Sequence, residues 1–272
     1  APERDAGCDP FQNILGQAPY IEVRTADGQF GGTNSLDLND SRNQIRIQNS
    51  NDNLSRFSSV IGSAYINAKI FEGLSFRSQF GLNASILLQD NVRRAFAEAG
   101  NRFVNPINFV DKQRQNTTQT ILTNTLAFDR DFGKHSINAS AVLEQTQIRF
   151  ESALLSDNNE VSSNIPELFS PNARALSFSV PENLNSVLFL AGYEFDNRYS
   201  LSGSGRRDTS SRFSPENASE WFFSGALGYD ISNEEWFQVD FINSLKFRAS
   251  YGETGNNRTG NVVNQFLPTL GL

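Results

Sequence analysis

Residues 56–86 hold two long alternating stretches joined by a dipeptide, and few architectures accept such a pair. Val60, Gly62, Ala64, Ile66, Ala68 and Ile70 share one face of the first stretch, and Ser63, Tyr65, Asn67 and Lys69 share the other. After Glu72 and Gly73, Leu74, Phe76, Phe80, Leu82, Ala84 and Ile86 rebuild the apolar face against Ser75, Arg77, Gln79, Asn83 and Ser85. Side chains alternate across a strand with period two, so each stretch is a strand with one apolar and one polar face. Both run well past the common strand length of about five or six residues.

The same design recurs down the chain. Long strands are predicted over 115–129 and 134–151, joined by the short turn 130–133, and over 185–196 and 198–207, with almost no connection at Asp196 and Asn197. Two more follow at 220–231 and 245–251. In the last, Leu245, Phe247, Ala249 and Tyr251 oppose Lys246, Arg248 and Ser250, before the small, turn-forming residues Gly252 to Asn256. Between strands lie longer intervals. Residues 1–54 read as a surface loop, disordered in part, with a short strand near Ile45–Ile47. Residues 91–113 form a polar interval whose AFAEAG makes a helical turn. Residues 152–184 are irregular, with Pro166, Pro171 and Pro181. A loop spans 208–219, and the connection 232–243 carries EEWF as one helical turn.

Short turns and long loops therefore alternate with little exception, and that parity selects among all-β folds. An antiparallel up-and-down transmembrane β-barrel has short periplasmic turns at one end and long extracellular loops at the other. A soluble sandwich has no reason to sort its connections in this way. The aromatic residues fit: Tyr193, Phe195 and Tyr199 gather at one short turn, and Tyr229, Trp236 and Phe237 at another, as an interfacial girdle would. Arg77, Asn83, Glu144, Lys246 and Arg248 would then face a wet lumen. Residues 115–129 fit least well, because Thr118, Thr120 and Asn124 share the face of Leu122, Leu126 and Phe128, and an amide facing lipid is unfavourable.

Composition narrows the function classes. No run approaches the roughly 18 apolar residues of a membrane helix, and a mean hydropathy of -0.43 suits a barrel as well as a soluble protein. The net charge of -7 argues against a nucleic-acid binder, which needs a basic face. A single Cys8 and a single His135 leave little for an internal disulfide or a zinc site. The chain begins with Ala and shows no secretory leader, which reads as a fragment or a processed chain.

Candidate reactive groups resolve into structural roles. His135, with Ser136 beside it and Asp131 nearby, sits in a turn where neighbours point apart, so an exposed turn histidine is expected and not a triad. Asp37, Asp40 and Asp52 lack the spacing of a calcium loop and read as solvated acids. Asp208 and Arg212 are read as a local ion pair or turn anchor. Gly252, Gly255 and Asn256 precede no helix, so they are not a phosphate cradle. Catalytic, metal and cofactor sites are all assigned as none, and the residues that touch a ligand are not identified.

Residues 198–213 (RYSLSGSGRRDTSSRF) resemble a stretch of the SusC-like (SusC/RagA) branch of TonB-dependent outer-membrane transporters. Residues 245–256 (LKFRASYGETGN) resemble another of that family's stretches, as do 221–236, with Ile231, Ser232, Glu234 and Phe237 at the turn, and, upstream, Ala18-Pro19-Tyr20 with Asp27-Gly28 and 71–81 (FEGLSFRSQFG). Thr209, where the family usually has Gly, and one extra residue near Glu234 are departures. The resemblance implies that residues 1–272 are an internal portion, a partial arc, of the receptor's barrel domain, without the plug, the TonB box or the closing strand. It implies a non-enzymatic role in nutrient uptake in the cell outer membrane of Bacteroidota-type bacteria. The implied partners are outer-membrane lipids, a SusD-like surface lipoprotein, the TonB complex through regions outside this chain, and an oligosaccharide or peptide ligand, with no nucleic acid. The alternatives are an outer-membrane binding or adhesion barrel without energy coupling, and a soluble all-β binding domain.

Overall fold

The computed structural model describes residues 19–33, 43–100, 103–159, 173–239 and 241–257. A short helix α1 (Gln44–Ser50) leads into β1 (Asn51–Phe71), then β2 (Leu74–Arg93), the two-residue strands β3 (Phe96–Ala97) and β4 (Val104–Asn105), and β5 (Asn108–Phe132). There follow β6 (His135–Asn159), β7 (Arg174–Phe195), β8 (Tyr199–Ser210), β9 (Ser219–Asp230) and β10 (Lys246–Gly252). Eight of these form one sheet in the order β1-β2-β5-β6-β7-β8-β9-β10, and β3 pairs only with β4. Every main-sheet strand thus neighbours the next main-sheet strand in the chain. The meander is the up-and-down order that the alternation of turns and loops predicts.

The strands outrun their sequence limits. β5 and β6 have 25 residues each, so most of the intervals 91–113 and 152–184 is strand wherever it is described. Pro181 lies inside β7. It is tolerated because pairing with β8 starts only at Leu184, and a proline lacking its N–H suits an unpaired strand side. The loop 208–219 likewise contracts, since β8 reaches Ser210 and β9 starts at Ser219. Pro166 and Pro171, with residues 160–172, lie outside the described residues.

Residues cluster into two compact units. In the first (Ala1–Ser58, Ile86–Asn116, Glu151–Phe178), the expected strand near Ile45–Ile47 is instead the helix α1. Asn43 caps it: its side chain accepts from the Arg46 N–H at 3.1 Å, and its amide donates to the Val23 and Gly31 carbonyls. A helix of seven residues is marginal alone, and tertiary contacts hold it. Arg46 Nε donates to Glu98 Oε1 at 2.8 Å, with both side chains buried, and the guanidinium lies 3.7 Å from the Phe96 ring centre. The same ring explains why AFAEAG makes no helical turn. Phe96 and Ala97 pair with Asn105 and Val104, which brings Phe96 and Glu98 to Arg46. Gly32 passes so close to Glu98 that a Cβ there would lie 2.5 Å from the Glu98 Cβ.

In the second unit (Ser59–Ser85, Thr117–Phe150, Ser179–Leu272) the registers keep odd residues opposite odd ones from β7 to β10. One face therefore carries Tyr193, Leu201, Leu227 and Ala249 in a row, with Tyr199, Tyr229 and Phe247 beside it. The other carries Ser200, Ser202, Ser204, Ser224 and Ser250, with Ser204 and Ser224 hydrogen-bonded at 2.7 Å. Lys246 meets Asp230 on this polar face, so β10 splits its apolar and charged residues as its alternation predicts. Gly205 lies under the Phe223 ring, and a Cβ would be 3.2 Å from it.

The hydrophobic residues are where a soluble sandwich would not put them. Among the described residues only Ile47, Val92 and Val110 are buried apolar side chains, all in the first unit. Leu143 (55 % exposed), Phe189 (51 %), Leu227 (60 %) and Phe247 (61 %) stand open. An apolar surface of this extent needs a partner, and a sheet with its other face polar matches a strand wall between lipid and water.

Candidate functional site

At the end of β8 and β9 distant from the turn at residues 196–198, the polar face of the second unit forms a cavity of about 400 Å³. Arg206 and Asp208 from β8, Glu220 and Phe222 from β9, and Glu253 and Asn256 after β10 line it. Alternation places the β8 and β9 members on one face, two residues apart in each strand. Arg206 Nε donates to both Asp208 oxygens, at 2.7 and 2.9 Å, and Nη2 donates to Ser186 Oγ at 3.1 Å. Its donors are thereby directed at protein acceptors. Glu220 lies directly across the ladder from Asp208.

The segment after β10 closes one side. The Glu253 N–H donates to the Phe223 carbonyl at 3.0 Å, continuing the pairing past Gly252. A Cβ on Gly255 would collide with the tip of the Phe222 ring. Gly255 is thus a close-approach residue that lets the chain lie against Phe222. The stretches 198–213 and 245–256, separate in the sequence, meet at this cavity.

A second constellation lies at the other end of the same strands. The turn at 196–198 holds Asp196 and Asn197 at φ 53° and 54°, a left-handed conformation that Asp and Asn tolerate better than most residues. Behind it His135, Phe195, Tyr199 and Tyr229 form a run of rings, with Tyr199 and Tyr229 stacked at 5.0 Å and 6°. Glu234 folds back from the connection to β10 and accepts from Tyr199 at 2.7 Å, Tyr229 at 3.1 Å and Arg198 at 3.0 Å. The Tyr199 hydroxyl, then the Tyr229 hydroxyl and the charge of Arg198, hold its carboxyl below the usual range. Asp196 is lowered too, by the hydrogen bond from Lys134 at 2.9 Å and by the charges of Lys134 and Arg198. Phe195 and Tyr199 from one sequence cluster and Tyr229 from the other thus join in a single array. Its one-turn helix is Ile231–Asn233, just upstream of the expected EEWF. EEWF itself is a turn closed by the Phe237 N–H on the Glu234 carbonyl at 3.0 Å, because Glu234 is committed to the tyrosines.

The remaining candidates separate. His135 Nδ1 hydrogen-bonds the Tyr193 hydroxyl at 2.6 Å and is part of the ring array. Asp52 pairs with Arg94; Asp37 and Asp40 lie outside the described residues. No cluster of potential metal ligands occurs among the described residues. Asp208 and Arg212 do not pair: Asp208 takes Arg206, while Arg212 makes two bonds to Glu182, at 2.6 and 2.7 Å. That carboxylate raises the Arg212 pKa. Glu182 wins because β7 brings it beside the loop after β8. Of the expected lumen residues, Glu144 meets Thr123 at 3.4 Å and Arg77 meets Gln79 at 2.9 Å. The cavity residues Arg206, Glu220 and Phe222 were not singled out in the sequence, although the Arg-x-Asp spacing already sets both charges on one strand face.

No protein-family model matches the chain. Among curated proteins, it is 26% identical over 255 residues to TonB-dependent receptor P3 of Formosa agariphila, covering 92% of this chain and 25% of that protein. It is 29% identical over 264 residues to TonB-dependent receptor P39 of the same organism, covering 92% and 24%. The chain thus spans about a quarter of the length of these relatives. Among solved structures, the RagAB peptide transporter superposes with a TM-score of 0.72 at 20% identity, over 80% of this chain and 25% of that one. The RagAB peptide importer in its closed-closed state gives 0.75 at 19% identity, over 87% and 27%. These likenesses assign the fold to the antiparallel transmembrane β-barrel. With its strand faces, its family-like stretches and these relatives in agreement, the chain is similar to SusC-like TonB-dependent outer-membrane receptors over about a quarter of their length.

Proposed function

We propose that the intact receptor imports oligosaccharides or peptides across the outer membrane, driven by the TonB complex and loaded by a SusD-like surface lipoprotein. Residues 1–272 serve as one portion of its barrel domain and carry out no covalent chemistry. The observation that carries this reading is the division of the sheet. Its open apolar residues suit lipid, while the serine-lined face and the rim cavity suit a polar solute passing through water. Relatives named as TonB-dependent receptors and the likeness to a peptide importer support it.

The test is uptake by the source bacterium. Deleting the gene should abolish accumulation of a labelled peptide or oligosaccharide pool, and de-energising the inner membrane should do the same in the parent strain. The lipoprotein should copurify with the receptor. Binding that persists without energy-dependent accumulation would replace transport with an adhesion or surface-binding role.

A further inference from the structure

We propose that the loop-end margin of the apolar face binds the phosphate of a membrane lipid, with Arg207 as its principal donor. The inference rests on the lipid-facing reading of the sheet and is independent of what the receptor imports. Odd-numbered residues of β7 to β10 stand in rows on that face. From Phe195, Tyr199, Tyr229 and Phe247 at the turn end, the rows stay apolar or aromatic as far as Phe189, Gly205 and Phe223. The next row is Val187, Arg207 and Trp221, and the one beyond it is Asn185, Thr209 and Ser219. The face therefore turns from apolar to polar across the Arg207 row. Tyr199 to Arg207 spans about 27 Å along the strand. A barrel strand's tilt reduces that to about 20 Å, close to the apolar band of about 25 Å in such walls. Arg207 and Trp221 thus stand at one membrane boundary as the tyrosines stand at the other, at the depth of the lipid headgroups.

The donor chemistry of the two outer rows favours a phosphate over bare solvent. Arg206 is held by Asp208 and Arg212 by Glu182, while exposed Arg207 has no carboxylate partner among the described residues. The acids nearby, Asp208, Glu220 and Glu253, line the cavity on the opposite face. Every polar side chain in the two rows can donate, and none is anionic: the Arg207 guanidinium, the Trp221 indole, the Asn185 amide and two hydroxyls. Thr209 and Ser219 share one hydrogen bond at 2.8 Å, which uses one hydroxyl proton and leaves the other free to donate. A guanidinium matches a phosphate with two parallel bonds. On the membrane side of Arg207, Phe189 and Phe223 stand exposed and offer acyl chains an apolar surface. The pairing of a free cation with apolar rings on one side only suits an amphiphile, whereas inorganic phosphate would gain nothing from the rings.

The test uses the full-length receptor, purified in mild detergent and titrated by native mass spectrometry with dioleoyl phosphatidic acid or dioleoylglycerol, which differ only in the phosphate. The wild-type receptor should bind its first phosphatidic acid at least about tenfold more tightly than dioleoylglycerol. Arg207→Gln should bring the two lipids within about twofold of each other. Arg207→Lys should keep part of the preference, because an ammonium supplies the charge without the fork. Trp221→Phe keeps a ring and removes the N–H, so it should weaken phosphatidic acid by about threefold and leave dioleoylglycerol unchanged. That variant carries the test by itself if Arg207→Gln does not assemble. Inorganic phosphate should not displace the lipid. Equal affinity of the wild-type receptor for both lipids, an undiminished preference in Arg207→Gln or Trp221→Phe, or displacement by inorganic phosphate would each overturn the site.

Discussion

Two ionic networks handle the same chemistry in different settings. Around α1, Arg46 and Glu98 are removed from water, and Arg46 Nη1 and Nη2 and Glu98 Oε2 find no partner among the described residues. At the turn end of β8, Arg198, Glu234 and two tyrosines meet half-buried, the Arg198 and Glu234 side chains 22 % and 10 % exposed, with Glu234 sharing three donors. The buried pair has few bonds and no solvent to replace them. The turn-end group has several bonds to one carboxylate, so the loss of one leaves others in place. Reliance on one partner therefore rises where redundancy is lowest.

Glu98→Ala should have the largest effect. It leaves the Arg46 guanidinium buried without its carboxylate, a loss on the order of 3–5 kcal/mol for the local structure. Hydrogen exchange of the α1 amides in the full-length receptor measures it, and Arg46→Met with Glu98→Leu should recover most of the protection. Unchanged protection in Glu98→Ala would break the contrast. Next comes Gly73→Ala between β1 and β2. Gly73 has φ 88°, and a Cβ would lie 2.8 Å from the Asp129 carbonyl oxygen, so a loss of about 1–2 kcal/mol is expected in thermal unfolding.

A pH titration probes the turn-end network. The Glu234 carboxyl is lowered from its ordinary value of 4.5, so its contribution is complete above that value and disappears as the pH falls through the lowered folded value. Trp236, 67 % exposed on the same connection, should become more accessible to acrylamide as the pH drops from about 6 to about 3. Glu234→Gln should flatten that response at all pH values. The smallest effect belongs to Lys134→Ala. Lys134 is 66 % exposed in its pair with Asp196, and removing an exposed partner should leave the unfolding midpoint unchanged within error.

The sheet was legible in the residues because its signal is local. Val60 to Ile70 and Phe247 to Tyr251 state their faces by alternation alone, and Glu72-Gly73 marks its own turn. Connection lengths were a coarser guide. The turn-end connection 231–245 is longer than the loop-end connection 211–218, against the general sorting. α1 was hidden because Ile45 and Ile47 alternate like a strand, and what makes them helical is Glu98, far along the chain. The cavity was hidden for the same reason. Nothing near Arg206 or Phe222 announces that 253–256 will return to them; only the register of three strands brings them together.

The hairpin turn at 196–198 has a consequence for how this wall can change over time. With Phe195 opposite Tyr199, it keeps odd residues facing odd, and so works as a parity bit for every strand after it. Adding or deleting one residue there would present Ser200, Ser202 and Arg206 to lipid and Leu201 and Tyr199 to water. The peptide connecting β8 to β9 is exposed at residues 215–217 and can absorb such an edit there. Variation in length among descendants of this chain should therefore collect at 211–218, while the tripeptide 196–198 keeps its count even as its letters drift.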